Sequence, residues 1–496
     1  MKKYISLLIY FTAMLVFVSC NDWLDVKPSN LQDRDKLFST ERGYGEAIRG
    51  VYAQLCDPSL YGRHLSWGVI DVFGGVYLYE QLLGNPWNAA RQYLYIREDA
   101  LVNSELIGIV ESFWSNMYNA IAGLNSILGR IDDDRDIFTG HNYYVLKGEA
   151  IGLRAFLHFE ILRLFGDVYE KSRDERVMPY VVELTPMVTS ELTGGQIIDI
   201  IISELEKALV LLENDPMRTG TTPSPILASA PSGVGMVGNN IQSWHNRRFH
   251  FNYYAAKATL ARAYLWKGDK PNALRMAQDV IDEQSTRFPW VLSTNLANIL
   301  LETSAAQDRT FATEHIFALN IMNLDELIAG YHNNMGIGTT SRNLFVNVPQ
   351  FENELGDPRY NFLTTHTINR FLTKYHQNPR VSDYFKNRLP LIRITEMYYI
   401  AAESSPNWEE GVEYINTVRN YGRQLSSSPL SVDSPETLRE AILNEYRREF
   451  MGEGQLWHYY KRHQHTTIPH MTPFTAKGLR AYVFPRPENE DLYGNR

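Results

Sequence analysis

Apolar residues recur at steps of three and four along much of this 496-residue chain, a spacing that fits one face of an α-helix and no face of a strand. From Leu146 the set is Leu146, Ala150, Leu153, Leu157, Ile161 and Leu164, stopped by Gly166-Asp167. A second helix opens on Thr193-Gly194-Gly195-Gln196, a capping box in which the threonine accepts the amide three residues on and the glutamine reaches back. Its stripe is Ile197, Ile201, Leu205, Ala208 and Leu212, and Asn214-Asp215-Pro216 ends it. The stripe Tyr254, Ala258, Ala261, Leu265 ends at Gly268, Pro271 falls where a first helical turn tolerates it, and Ala273, Leu274, Ala277, Val280 and Ile281 form a returning helix. Further helices are predicted over Leu391–Glu403 and Trp408–Arg419, and from Ser434-Pro435 through Leu438, Ile442, Tyr446 and Phe450.

The pair around Leu260–Ile281 matches the tetratricopeptide pattern at Leu260, Ala261, Tyr264 and Ala273, where small residues let two helices approach closely. The phrase Ala-x-x-x-Arg-Ala-aromatic occurs at Ala150–Phe156 and again at Ala258–Tyr264. Such units cannot bury their faces singly and must stack. The expected fold is therefore mainly α, built of helix pairs with long irregular excursions. One excursion, within about 216–250, is rich in Gly, Pro, Ser and Thr; another spans about 287–380 and contains Gly330-Tyr331-His332-Asn333-Asn334. Excursions of that length in an ordered body usually carry function.

The N-terminus reads as an export signal. Lys2 and Lys3 precede an uncharged, mostly apolar stretch from Tyr4 to Val18, and Ser19 stands just before Cys20. That stretch is short for a membrane-spanning helix, which needs about 20 residues. A small residue followed at once by Cys is what a lipobox requires, so residues 1–19 are expected to be removed and Cys20 to be lipidated; ordinary secretion with an incidental Cys is the alternative. Several acyl chains on one residue anchor stably where a single chain anchors marginally. Removing residues 1–19 takes away two lysines and no acid, so the net charge moves from -9 to -11. That balance argues against nucleic acid or an anionic lipid surface as partner. With Cys20 lipidated, Cys56 has no partner among the two cysteines, and no disulfide frame exists. Aromatic residues make up 12% of the chain, with 30 Tyr and 9 Trp, more than a core needs and suited to stacking on sugars.

Several phrases resemble the SusD/RagB nutrient-binding lipoproteins of the Bacteroidetes. They begin with Cys20-Asn21-Asp22-Trp23-Leu24-Asp25-Val26 and continue with Phe113-Trp114, Tyr118, Ile121 and Asn125. Gly148-Glu149-Ala150, Leu153-Arg154-Ala155 and Phe165-Gly166-Asp167-Val168 follow, then Arg393, Glu396 and Ala401-Ala402-Glu403. Asn416, Val418-Arg419 and Gly422 precede Glu445, Arg448-Glu449-Phe450, Glu453-Gly454 and the closing Pro485, Pro487 and Glu490. Where the family usually has an Arg and an Asp after that Gly-454 position, this chain has Leu456 and Tyr459, read here as a structural change. The resemblance implies a right-handed helical superstructure of tetratricopeptide-like pairs as one body over 20–496, with an N-terminal region 20–215 and a C-terminal region 216–496. It also implies a place over a SusC-like TonB-dependent outer-membrane transporter, with the Leu260–Ile281 pair on the transporter side and ligand taken by loops on the opposite side.

Sugar binding needs flat aromatic faces plus amides, carboxylates or guanidinium groups for the hydroxyls. The segment 67–95, where the resemblance places ligand loops, supplies Trp67, Trp87, Asn88, Arg91 and Tyr93; the segment after Gly330 supplies Tyr331 and Asn333. The alternative for each is packing within its own loop. The run Asp132-Asp133-Asp134-Arg135-Asp136 lacks the glycine of a calcium loop and reads as a solvated helix end. His458, His463, His465 and His470 lack metal-ligand spacing and read as an ordinary surface. No Gly-x-Ser-x-Gly elbow or phosphate loop occurs. The expected function is nutrient capture, of an oligosaccharide or polysaccharide, by an outer-membrane lipoprotein without enzymatic activity, metal or cofactor. A tetratricopeptide-type protein scaffold and a lipid-anchored glycosidase are the alternatives.

Overall fold

Capping chemistry sets where the helices begin. In a computed structural model, Thr193 accepts the amide of Gln196 at 3.2 Å while Gln196 accepts that of Thr193 at 3.0 Å, which closes the capping box and starts a helix at Gly194. Ser434, with Pro435 in the first turn, starts the last long helix in the same manner. The structure describes residues 34–78, 89–90, 104–185, 187–220, 247–299, 301, 303–329, 331, 356–365, 370–426, 430–468 and 482–493. Cys20 and the export signal lie outside them, as does most of the excursion at 216–250.

The main helices are α1 (Glu41–Leu55), α2 (Val69–Phe73), α3 (Ser104–Leu128), α4 (Asn142–Phe165), α5 (Gly194–Leu211), α6 (Tyr253–Lys267), α7 (Lys270–Ile281), α8 (Leu324–Ala329), α9 (Ile394–Ser404), α10 (Trp408–Thr417), α11 (Pro435–Glu449) and α12 (Gln455–Arg462). Three two-stranded antiparallel sheets pair β1 (Arg176–Pro179) with β2 (Glu191–Thr193), β3 (His315–Asn320) with β6 (Arg388–Arg393), and β4 (Leu363–Thr365) with β5 (Arg370–Leu372). The fold is mainly helical, as the periodicity predicts. Helices α1, α3, α4, α5, α6, α7, α9 and α10 pack each on the next, and the contact of α5 with α6 carries the stack across position 215/216.

Two local expectations need correction. The helix predicted from Leu391 begins at Ile394, because Arg388–Arg393 is drawn into the β3–β6 pair, all six residues of which are buried on the β6 side. The excursion at 287–380 is also less irregular than its composition suggests, since it contains β3, an apolar run too short to show a period.

The repeated Ala-x-x-x-Arg-Ala-aromatic phrase has a physical meaning. Arg154 on α4 forks onto Glu204 of α5, with Nε 3.2 Å from Oε2. Arg262 on α6 forks onto Glu396 of α9, with both bonds at 2.6 Å. In each copy a buried arginine fastens its helix to a later one, and the small residues beside it permit the approach. Gly152 shows how close the approach is: a Cβ there would stand 2.4 Å from the ring of Phe251.

The C-terminal family phrases converge on a buried ion-pair network. Glu449 accepts from Arg423 (Nε at 3.0 Å), Arg359 (3.0 Å) and Arg393. Glu445 accepts from Arg359 and Arg419, both at 2.7 Å, and from Arg448 at 3.0 Å. Glu314 binds Arg423 through both oxygens at 2.8 Å, and Glu453 binds Arg393 at 3.0 Å and Lys374. Beside it, Asp71 of α2 accepts the amides of Gly452 at 2.6 Å and Gly454 at 3.0 Å. Those two glycines have φ of 80° and 70°, which aims successive amides at one carboxylate and which side-chain-bearing residues rarely adopt. Leu456 and Tyr459, the departures from the family pattern, are both buried, with Tyr459 packed on Tyr446 at 4.6 Å.

This network predicts a one-sided acid response. Burial by itself would raise Glu445, but Arg359, Arg448 and Arg419 hold it down at about 2; Arg247 and His250 likewise outweigh burial and hold Glu149 at about 2. Glu449 lies well below the usual range because Arg423, Arg393 and Arg359 overcome its burial. Groups depressed on folding contribute stability above the ordinary carboxylate range and lose it as pH falls toward their folded values. Asp308 acts in the opposite sense: burial pushes it up to about 6, so stability rises slightly as pH falls from about 6 to about 4. The buried histidines act against this: burial holds His64 and His158 at about 3, so the unfolded chain takes up protons first and stability is lost as pH falls below about 6.5. Thermal midpoints should therefore decline from about pH 6.5 and collapse below about 4, where the carboxylates add their loss. A midpoint that stays level from about pH 7 to below about pH 4 would show that neither the histidines nor these carboxylates are held as described.

Candidate ligand-binding corner

Two of the residues singled out for ligand contact meet in the structure. Tyr331 follows α8, and the chain from α1 to α2 runs through tight turns fixed by Asp57, whose carboxylate accepts from the amide and hydroxyl of Ser59 at 2.8 and 2.6 Å. Asn116 of α3 donates to Ser59 at 2.9 Å and ties these turns to the helical stack. They place Arg63 so that Nη1 donates to the Tyr331 hydroxyl at 2.7 Å, with the guanidinium over the ring at 5.6 Å. The Trp67 ring lies 5.4 Å from that of Tyr331. Trp67 and Tyr331, 264 residues apart in sequence, therefore share one corner. Tyr331 is half-buried there, so part of its surface faces outward beside a guanidinium. An aromatic surface next to an Arg is a chemistry that suits a sugar ring and its hydroxyls.

Trp67 itself does not face a ligand, which corrects the expectation for it. It is fully buried, its indole N–H donates to the Gly62 carbonyl at 3.1 Å, and its own carbonyl accepts from Tyr77 at 2.5 Å. Tyr77, another aromatic of the same segment, is equally buried. The alternative reading, packing within its own segment, therefore holds at the start of the segment, where the turns form part of the core. Trp87, Asn88, Arg91, Tyr93 and Asn333 lie outside the described residues.

Arg63 was not singled out from the sequence. A lone arginine in Tyr61-Gly62-Arg63-His64 carries no motif; only the approach of Tyr331 gives it a role. His64 beside it is buried, and burial lowers it to about 3, so it contributes no charge to this corner at neutral pH.

The acidic run and the histidines resolve into other contacts. Asp132 accepts from Lys147 at 2.6 Å and Tyr143 at 2.7 Å, and Asp134 accepts from Tyr44 at 2.6 Å. Among the described residues no group of His, Cys, Asp and Glu is placed to hold a metal ion. The reading of the histidines as surface residues fails for His458, which is buried on α12 and held neutral by burial and by Arg163 and Lys461 nearby. His463 is half-buried 3.3 Å from Glu403, and His470 lies outside the described residues.

The chain is thus a mainly helical stack with an aromatic and guanidinium corner formed by Arg63, Trp67 and Tyr331. A family model described as the SusD family matches residues 313–486, and a second, described as starch-binding associating with outer membrane, matches 85–265. Both matches, together with the relatives of this chain, support the SusD/RagB family for it. It is 23% identical to SusD-like protein P2 of Formosa agariphila over 93% of this chain and 91% of that protein. Crystal structures share the fold: a SusD superfamily protein of Bacteroides thetaiotaomicron has a TM-score of 0.66 at 18% identity, covering 92% of this chain and 98% of that one. The surface glycan-binding protein A of Bacteroides fluxus has a TM-score of 0.58 at 18% identity, covering 86% of this chain and 89% of that one.

Proposed function

We propose that this protein captures a glycan at the outer surface of the outer membrane and passes it to a SusC-like TonB-dependent transporter, and that it is a binding protein rather than a hydrolase. Membership of a family whose matching model is described as starch-binding and associating with the outer membrane supports the first part. The observation that supports the location of the site is the meeting of Arg63, Trp67 and Tyr331 at one corner. Capture there uses the outward part of Tyr331 as a platform, with Arg63 beside it; Trp87, Asn88, Arg91, Tyr93 and Asn333 are the further contacts expected from the sequence. Lipidation at Cys20 holds the body at the membrane, and the helical stack that includes α6 and α7 faces the transporter.

Calorimetry against a panel of oligosaccharides tests this reading. Affinity should lie between micromolar and millimolar on the order of a few stacked rings. Tyr331→Ala and Trp87→Ala should each weaken binding by about three- to tenfold, the worth of one aromatic contact, with the thermal midpoint little moved in Trp87→Ala. Unchanged affinity in both folded variants would move the site away from this corner. Reducing-sugar release on the same panel would overturn the assignment as a pure binding protein.

A further inference from the structure

The loop between β1 and β2 exposes an apolar tip. Val182, Leu184, Met187 and Val188 are 45%, 52%, 76% and 57% exposed, four of the nine large apolar side chains that are exposed among the described residues. The other five are spread along the chain and call for no explanation, whereas a cluster within seven residues does. Between 182 and 190 the only charge is Glu183.

The tip stands on a fixed base. Arg154 of α4 donates to the Val182 carbonyl at 3.0 Å, and Asn125 of α3 donates to the carbonyls of Val181 at 3.1 Å and Glu183 at 3.4 Å. Burial lowers His158 to about 3, so its neutral ring accepts the Val181 amide at 3.0 Å through Nε2 and donates through Nδ1 to the Arg154 carbonyl at 2.9 Å. Tyr180 stacks on that ring at 3.8 Å and donates to Glu204 at 2.8 Å. Exposed aliphatic side chains are thus presented from a buried, fully engaged support.

The base also marks where the tether joins the body. Arg34, at the start of the described chain, donates to the carbonyl of Ser126, the residue next to Asn125 on α3, at 3.5 Å. Arg130, one turn further on, pairs with Asp35 at 2.5 Å. Between Cys20 and Arg34 there are fourteen residue steps, which span at most about 50 Å when fully extended. The apolar tip and the root of the tether therefore sit on the same end of α3.

We infer that the 182–188 loop is a second membrane contact, its aliphatic tip resting in the apolar boundary of the lipid leaflet that holds the anchor. This rests on the reading of Cys20 as that anchor. The composition favours lipid over a protein partner: the tip has no Trp, Tyr or Arg, the residues that dominate protein hot spots, and consists of Val, Leu and Met. The contact is apolar, so the acidic net charge of the chain does not oppose it on a zwitterionic surface. A body on a tether alone tumbles freely; a second contact beside the tether root fixes which side faces the bilayer.

The test uses a Cys56→Ser background with an environment-sensitive fluorophore at Met187→Cys or, as control, at the exposed Glu413→Cys on α10. The chain is anchored to phosphatidylcholine vesicles in two ways, by its own lipid and by a histidine tag in place of Cys20 on nickel-chelating lipid. The probe at 187 should shift to the blue and lose most of its emission to a quencher carried on the acyl chains, and the probe at 413 should not. Leu184→Asp with Val188→Asp should abolish the quenching at 187. A water-exposed probe at 187 on an anchored chain overturns the inference, as does shielding that appears only when the transporter is added, which would mark a protein contact. Failure of the native chain to float, with quenching intact on the tagged chain, would count against lipidation at Cys20 and leave the loop contact standing.

Discussion

Glu449→Gln should destabilise the protein by about 3–5 kcal/mol, the usual cost of removing one partner from a buried charge cluster. The carboxylate accepts from Arg359, Arg393 and Arg423, which are all fully buried. Each arginine keeps another acid, Glu445, Glu453 and Glu314 respectively, and Arg359 keeps Asp357 as well, but the cluster loses one of its buried negative charges. The amide is nearly the same size, so lost packing does not confuse the result. Because the network joins α11 to β6, to Glu314 at the start of β3 and to the turn after α10, the loss should be global rather than local. The urea midpoint of the variant, or its failure to accumulate folded, gives the measurement. Glu46→Gln, which removes an exposed pair with Arg42, should change stability by no more than about 1 kcal/mol. Similar small losses for both variants would mean that the network is solvated and contributes little.

Cys20→Ala should move the protein completely from the membrane fraction to the soluble one. The described residues contain no helix long and apolar enough to cross a membrane, and four aliphatic side chains at 182–188 are too few to hold a body of this mass without the tether. Attachment strength scales with the buried acyl carbons, and a residue that bears several chains binds far more firmly than one chain allows. Fractionation of cells that lack the transporter, with a carbonate wash to strip peripheral protein, separates anchoring from capture by a partner. Retention of the variant in washed membranes would place the anchor elsewhere in the chain.

The helices were legible because their signals are local. The stripe from Leu146 to Leu164, the box at Thr193–Gln196 and the Pro271 start each lie within a few turns, and the hydrogen bonds that they announce close within the same residues. The signals proposed for export and lipidation, at Lys2, Ser19 and Cys20, are local in the same sense, as is the paired phrase around Arg154 and Arg262. What the phrase is for was not legible. Arg154 meets Glu204 fifty residues on and Arg262 meets Glu396 at 134 residues, and no spacing rule predicts either. The same holds for the phrases around Arg393, Glu445 and Glu449, which form one charge cluster gathered from six parts of the chain, at Glu314, Arg359, Lys374, Arg393, Arg419–Arg423 and Glu445–Glu453. Trp67 reversed its expected role for a related reason: an aromatic in a turn-rich segment looks free, and only the arrival of Tyr331 and Tyr77 shows that it is enclosed. Periodicity and caps depend on bonds made within a segment, so sequence alone determines them. Burial, charge partners and the corner where Arg63 meets Tyr331 depend on which distant segments share a volume, and the tertiary structure alone decides that.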